Sequence, residues 1–258
     1  VGEWSRRDPQ AAIDFIAKPS SGLAPSVDVL EKVVQAAGAR VRVPRKLDIK
    51  SRPPSQLLSA AGTRWQSRIV VIGSSTGGPQ ALREVVSGLP GDLKVPVLIV
   101  QHMPAGFTRS LAERLDTLTP LPVHEAKSGD LIERGKVLVA PGDYHLTITP
   151  GGRVKLNQEA AEHGVRPAIN VTLDSVVQHH QGDVVAAILT GMGTDGTRGA
   201  ELVRTAGGYM ITEHESTCTI YGMPRSIELA GLSDEVVPLE GIANAIVNQC
   251  RQAARRSA

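Results

Sequence analysis

The sequence VVIGSSTGGP, residues 70–79, joins a buried-strand pattern to a glycine-rich turn. Residues 69–72 are apolar, which is typical of a parallel strand covered by helices on both faces. The turn has the form G-x-S-x-G with Ser75 at its centre. Its glycines allow a sharp bend that presents a serine hydroxyl at the carboxyl end of the strand. This stretch predicts an α/β protein in which Ser75 is a nucleophile.

Other functions use similar turns. Free amides in a glycine-rich turn also bind phosphate, but this turn lacks the lysine of a P-loop and the spacing of a dinucleotide fingerprint. A tight structural turn with serine and threonine as helix caps explains the G-x-S-x-G sequence equally well. The catalytic interpretation therefore depends on a base and an orienting acid elsewhere in the chain.

The general base is predicted at the end of the next apolar run. His102 closes the pattern VPVLIVQH of residues 95–102. Consecutive parallel strands usually lie near each other, which places His102 and Ser75 at the same edge of the sheet. His145, after a turn, and His214, after a strand-like segment, are weaker candidates. Polar or helical surroundings favour exposure of the remaining histidines, which are His124, His163, His179 and His180.

The third member of the site is predicted after the buried run 184–190. That run ends in GMGTDG, and Asp195 lies within this loop. Asp195 also fits the N-cap of the following helix. The neighbouring glycines favour a close approach to a ligand, so we predict that Asp195 orients His102. Backbone amides of Met192 and of Thr76, expected to begin the helix after Ser75, are predicted oxyanion donors.

The order of patterns predicts a doubly wound, mostly parallel sheet flanked by helices. Strands are expected near 69–72, 95–100, 137–140, 184–190, 209–213 and 235–238. Helices are expected after Gly78, after Gly106, around 168–178, and after Gly196, Gly222 and Leu239. Alternating apolar residues around a Pro-Gly-Gly turn predict a β-hairpin near 144–156.

Three longer segments carry a family resemblance. IGSSTGGPQAL at 72–82, VQHMPAGFTRSLAERLD at 100–116 and LTGMGTDGTRGA at 189–200 resemble the catalytic domain of the CheB-type chemotaxis protein-glutamate methylesterases. The resemblance covers roughly residues 69–250. It implies Ser75 as nucleophile, His102 as base, Asp195 as the orienting acid and Met192 at the oxyanion site. The implied substrate is a glutamate methyl ester on a chemoreceptor helix, and related members also deamidate glutamine.

One departure from the family pattern lies outside Ser75, His102 and Asp195. The family usually has R-P-S-x-D where this chain has Arg166-Pro167-Ala168-Ile169-Asn170. Asn170 keeps an acceptor but removes a charge. We expect the helix start to survive and the substrate affinity or the choice of receptor to change.

The amino-terminal region predicts two further segments. Residues 1–39 are expected to be a remnant of a response-regulator receiver domain, because AAIDFIAKP at 11–19 resembles its last strand and 27–37 fits its last helix. Residues 40–67 are basic and contain Pro and Ser, as in a linker. Residues 68–258 form the expected catalytic domain. No phosphoacceptor strand precedes Lys18, so we expect a fragment or a truncated relative.

Composition restricts the partners. A net charge of +2 without aromatic-basic interleaving argues against nucleic acid. Cys218 and Cys250 have neither metal spacing nor a disulfide framework, and no metal or organic cofactor is expected. No apolar run approaches the roughly 20 residues of a membrane span, so a cytoplasmic enzyme without membrane insertion is expected. The alternatives are an inactive receptor-docking module and an esterase or amidase acting on another substrate; the oligomeric state is left open.

Overall fold

The coordinates are a computed structural model that describes residues 68–180 and 184–256. The expected receiver remnant at 1–39 and linker at 40–67 lie outside the described residues. Within the described residues, no helix combines the length and the apolar character needed to cross a bilayer.

Nine strands and six helices make up the described part of the chain. The strands are β1 (Ile69–Ser74), β2 (Val97–Gln101), β3 (Val123–Glu125), β4 (Val137–Val139), β5 (His145–Ile148), β6 (Val154–Asn157), β7 (Val184–Ile188), β8 (Tyr209–Glu213) and β9 (Glu235–Val237). The helices are α1 (Gly78–Ser87), α2 (Phe107–Asp116), α3 (Ile169–His180), α4 (Thr197–Thr205), α5 (Met223–Leu229) and α6 (Leu239–Arg256).

Seven of the strands form one parallel sheet in the order β3-β4-β2-β1-β7-β8-β9. Strands β5 and β6 form a separate antiparallel hairpin. The predicted fold class, including the hairpin near 144–156, is confirmed. Strand β3 was not predicted, because its three residues are too short to show a periodic pattern and only Val123 is buried.

Both faces of the sheet are covered. Val70 and Ile72 of β1 face one core, shared with α1, α2 and α6. Ile69 and Val71 face the other, shared with α3, α4, α5 and the hairpin. Since successive strand residues point to opposite faces, the uninterrupted apolar sequence of β1 follows from burial on both sides.

A glycine brings α3 close to the central strand. A Cβ atom on Gly73 would lie 2.7 Å from the Cδ1 atom of Ile169, the first residue of α3. That Cβ atom would also lie 2.9 Å from the Cδ1 atom of Ile188 in β7, so a larger residue at this position of β1 would force both isoleucine side chains to shift. Gly73 therefore leaves room for the isoleucines that pack α3 against the central strands.

The topology places three loops at one edge. Strand β1 pairs with β2 on one side and with β7 on the other. Their carboxyl ends lead into the segments that contain Ser75, His102 and Asp195. From β1 the sheet extends through β2 on one side and through β7 on the other. Open α/β sheets bind their ligands where the strand order reverses in this way.

Candidate active site

The turn after β1 is fixed by its backbone. The Ser75 amide donates to the Thr190 carbonyl at 3.0 Å, and the Gly78 amide donates to the Ser75 carbonyl at 2.9 Å. Gly77 has a φ of 84° and is the N-cap of α1. The helix thus begins at Gly78, and the expectation that Thr76 begins it is wrong, because the left-handed backbone at Gly77 interrupts helical geometry.

The Ser75 side chain is half-buried. Within residues 68–180 and 184–256 its hydroxyl makes no hydrogen bond. A serine hydroxyl held by its backbone but not engaged by its side chain is available to a base and to a substrate. Apo sites often have loose contacts between nucleophile and base that tighten only when substrate binds.

The Gln101 side chain links the turn that contains Ser75 to His102. It is 2% exposed at the end of β2. Its Nε2 donates to the carbonyl of Ser75 at 2.9 Å and to that of His102 at 3.0 Å, while the Ser74 hydroxyl donates to its Oε1 at 2.7 Å. Sequence reasoning missed Gln101. The available signal was a polar residue at the end of an otherwise apolar buried run.

His102 and Asp195 form a closely paired couple. The His102 Nε2 donates to the Asp195 Oδ2 at 2.8 Å, and their side chains are 8% and 3% exposed. A carboxylate requires a donor, so the proton of the neutral imidazole lies on Nε2. Nδ1 then carries the lone pair, so the predicted role of His102 as a base toward Ser75 falls to this ring nitrogen.

The amino end of α3 holds the Asp195 carboxylate. Its Oδ2 also accepts from the Ile169 amide at 2.7 Å, and its Oδ1 accepts from the amides of Asn170 at 3.0 Å and Gly196 at 2.9 Å. The positive end of a helix favours a carboxylate placed there. Asp195 does not fill the alternative N-cap role, since Gly196 is the N-cap of α4.

These contacts keep Asp195 charged. Burial by itself would raise its pKa, but the hydrogen bonds from the side chain of His102 and from the amides of Asn170 and Ile169 together lower the pKa below its ordinary value of 3.8. Asp195 is therefore an anion near neutral pH, and it stabilises a protonated imidazole at His102.

The two predicted oxyanion donors are the backbone amides of Thr76 and Met192. Within the described ranges, neither amide donates a hydrogen bond to a protein group. A Cβ atom on Gly191 would lie 2.7 Å from the Ser75 Cβ, so the loop that carries Met192 passes directly beside the nucleophile. The Met192 side chain is 74% exposed. Oxyanion stabilisation by these amides stays a prediction.

The other histidines differ from His102 in their burial and their contacts. His145 is 1% exposed, accepts from the Ala168 amide at its Nδ1 and contacts the Ala160 carbonyl with its Nε2, so it supports the loop before α3. His214 is exposed. The prediction of exposure is wrong for His180, which is 2% exposed, because it continues the buried face of α3 at helical spacing.

Ligand atoms of Glu162, His163 and Asp195 lie within 4.8 Å of one another. Both Asp195 oxygens already accept two hydrogen bonds each, and Glu162 is paired with Arg198. A cation here would displace the hydrogen bonds that orient the Asp195 carboxylate. The donor set is therefore better suited to hydrogen bonding than to a metal.

Two depressions of the described surface are open to solvent. One of about 520 Å³ is lined in part by His163, Asn170 and Arg198. The other, of about 440 Å³, borders the loop after β2 and includes Pro104 and Arg166. Both are broad surface clefts.

Comparison with known proteins identifies the family. Residues 70–246 match the family model described as CheB methylesterase. A protein-glutamate methylesterase/protein-glutamine glutaminase of Symbiobacterium thermophilum is 46% identical, with 91% of this chain and 69% of that protein covered. One from Pseudomonas aeruginosa is 45% identical over 95% of this chain and 70% of its own length. The crystal structure of the Thermotoga maritima CheB methylesterase catalytic domain is 43% identical and has a TM-score of 0.69, covering 71% of this chain and 98% of that chain.

Proposed function

Because this chain belongs to the CheB methylesterase family, we propose that it is a serine hydrolase that removes methyl esters from glutamate side chains of chemoreceptors. The same site is proposed to deamidate glutamine side chains, as the names of the relatives indicate for those proteins. The observation that carries the proposal is the His102–Asp195 hydrogen bond at the sheet edge that also presents Ser75.

The proposed reaction has two steps, the acylation and the deacylation of Ser75, and His102 and Asp195 act in both. The Ser75 Oγ attacks the ester carbonyl carbon while Nδ1 of His102 takes its proton, and Asp195 stabilises the resulting imidazolium through Nε2. The amides of Thr76 and Met192 receive the negative oxygen of the tetrahedral intermediate. Collapse releases methanol with the proton returned by His102 and leaves an acyl ester on Ser75.

Water then completes the cycle. His102 removes a proton from a water molecule that attacks the acyl carbon, and it returns that proton to the Ser75 Oγ as the glutamate side chain of the receptor leaves with a free carboxylate. With glutamine the first leaving group is ammonia. General base catalysis is worth about a hundredfold to ten-thousandfold in rate, and each oxyanion donor about 3 kcal/mol of barrier.

The shape of the surface supports a protein substrate. Small-molecule sites are usually concave and enclose most of their ligand. The two depressions, one lined by Asn170 and Thr194 and the other by Pro104 and Arg166, are open instead. A helix of a methyl-accepting receptor fits an open edge better than a small ester does. The intact His102–Asp195 pair argues against an inactive docking module.

The domain assignment and compartment are part of the proposal. We infer a catalytic domain at 68–258, preceded by a linker at 40–67 and a receiver remnant at 1–39. Alignment with the relatives covers more of this chain than the family model does, which supports a shared segment outside the catalytic domain. We propose the cytoplasm as the compartment of the enzyme.

The experiment measures methanol release from methylated chemoreceptor by this chain and by Ser75→Ala. We expect release only with Ser75 present, and ammonia release from receptors that carry glutamine at the same sites. Ser87→Ala is the matched control, because this exposed serine bonds only within α1. Methanol release by Ser75→Ala at the rate of the unmodified chain would remove the mechanism.

A further inference from the structure

Glu213 is a buried carboxyl group at the end of β8. It is 0% exposed. Its Oε2 accepts from the Thr190 amide at 2.8 Å, and its Oε1 has no hydrogen-bond partner in residues 68–180 and 184–256. None of the ion pairs in those ranges involves it. This carboxyl is therefore held at Thr190 and not at a cation.

Thr190 connects β7 to the turn that contains Ser75. It follows β7 by two residues and is 2% exposed. Its carbonyl accepts from the Ser75 amide at 3.0 Å, and its hydroxyl donates to the Thr76 carbonyl at 2.9 Å. The same hydroxyl accepts from the Ile220 amide at 2.9 Å. Along the chain, the Ser75 hydroxyl and the Thr76 amide, a predicted oxyanion donor, lie between the two contacts that Thr190 makes with this turn.

We propose that Glu213 is a positioning residue that holds the Thr190 amide and thereby fixes the backbone that presents the Ser75 hydroxyl and the Thr76 amide. Only the catalytic consequence rests on the proposed function. The physical content is the position of the turn, which is measurable without any substrate. A misplacement of about 1 Å at a reacting group can cost a hundredfold in rate.

Close packing transmits a shift of Thr190 to the turn. A Cβ atom on Gly77 would lie 3.0 Å from the Thr190 Cγ2, and one on Gly191 would lie 2.7 Å from the Ser75 Cβ. The backbone of the turn and that of the loop after β7 therefore approach each other on both sides of Ser75. A Thr190 without its acceptor at Glu213 would move against these contacts.

In this role Glu213 acts as an acceptor and not as a charge. Burial raises the pKa of its carboxyl, and Glu240 of α6 adds to that effect, against the lowering by the Thr190 amide and by Thr217. A protonated carboxyl and a primary amide are similar in size, and each offers an acceptor oxygen and a donor group. Glutamine can therefore replace Glu213 at the Thr190 amide, whereas aspartate is one methylene shorter and falls short of it.

The variants that test this role are Glu213→Gln and Glu213→Asp, and the first readout is methanol release from methylated chemoreceptor. We expect Glu213→Gln to keep kcat within about threefold of the unmodified chain. Glu213→Asp should lower kcat at least about tenfold with KM within about twofold, because the contacts with bound substrate are not altered. Glu213→Leu also lacks the acceptor and tests the same point if Glu213→Asp does not fold.

The second readout is hydrogen exchange of the Ser75 amide, followed by NMR. We expect faster exchange in Glu213→Asp, because the Thr190 carbonyl that accepts from this amide is less well held. Ser175→Ala is the matched control. The Ser175 hydroxyl accepts from the Ile148 amide at 2.7 Å, so this change also leaves a buried amide without its acceptor, but at the hairpin. It should lower stability and leave kcat and the Ser75 exchange unchanged.

A folded Glu213→Asp with the kcat and the Ser75 exchange rate of the unmodified chain would overturn the inference. A Glu213→Gln variant as slow as Glu213→Asp would overturn it as well, because the charge and not the acceptor would then be required. Faster Ser75 exchange in Glu213→Asp, together with no methanol release by the unmodified chain, would instead refute the proposed function alone.

Discussion

Replacement of Asp195 by asparagine removes the negative charge of the side chain and keeps its size and shape. Four donors surround the carboxylate: Nε2 of His102 and the amides of Ile169, Asn170 and Gly196. Asparagine offers one acceptor oxygen in place of two and adds an NH2 group. Two of the four donors must therefore face a donor.

The structure indicates which contacts are lost. If the oxygen stays with the amides of Asn170 and Gly196, the NH2 group faces His102 and Ile169. His102 must then accept at Nε2 and carry its proton on Nδ1, which leaves no lone pair toward Ser75. We expect kcat to fall by about 10³- to 10⁴-fold, the size of effect that a wrong tautomer causes in other serine hydrolases. The buried Ile169 amide without an acceptor should cost about 1–3 kcal/mol of unfolding free energy.

The assays are single-turnover methanol release and urea unfolding, with the exposed Asp92→Asn as control. The pH dependence adds a second test. Because the folded-state pKa of Asp195 is lowered, its stabilising contribution is complete above the ordinary value of 3.8 and is lost as pH falls through the lowered value. Asp195→Asn should flatten the stability curve in that acid range. A kcat within threefold of the unmodified chain would refute the assigned tautomer.

Three further changes test other parts of the structure. Gln101→Leu leaves the Ser74 hydroxyl and the half-buried His102 carbonyl without the Gln101 side chain and removes one of two donors to the Ser75 carbonyl, so urea unfolding should show a loss of about 2–5 kcal/mol that Gln80→Leu, on the exposed face of α1, does not reproduce. Gly191→Ala places a Cβ atom 2.7 Å from that of Ser75, and we expect kcat to fall at least tenfold while Gly151→Ala, at an open turn, leaves it unchanged. Burial and the neighbouring His179 lower the pKa of His180 to about 4, so the stability of the neutral ring is complete above pH 6.5 and is lost toward pH 4. Between pH 7 and pH 4 the unfolding free energy of the unmodified chain should fall by up to about 3 kcal/mol more than that of His180→Gln. Equal decreases would contradict the assignment.

Much of the fold was predictable because three central strands are buried on both faces. Strands β1, β2 and β7 are uninterrupted apolar runs, and each is followed by one residue of the predicted catalytic set. The family resemblance, now confirmed, rests on those same segments. The roles of Ser75, His102 and Asp195 stay predictions that the geometry supports.

Other features depend on contacts between distant residues and left little sequence signal. No pattern indicates that Nε2 of His102, and not Nδ1, faces Asp195, since this depends on how the ring is oriented. The amides of α3 reach Asp195 from 25 and 26 positions earlier in the chain. The burial of His180 follows from the packing of α3. The sequence His179-His180 by itself is typical of a polar helix end.

The way in which α3 holds Asp195 has a consequence for sequence drift. Apart from His102, every group within the described residues that donates to this carboxylate is a backbone N–H, from Ile169, Asn170 and Gly196. Every residue type except proline supplies that group. A substitution at 169 or 170 that keeps the path of the main chain therefore keeps these donors. For this contact, mutational tolerance is set by backbone geometry and not by side-chain identity.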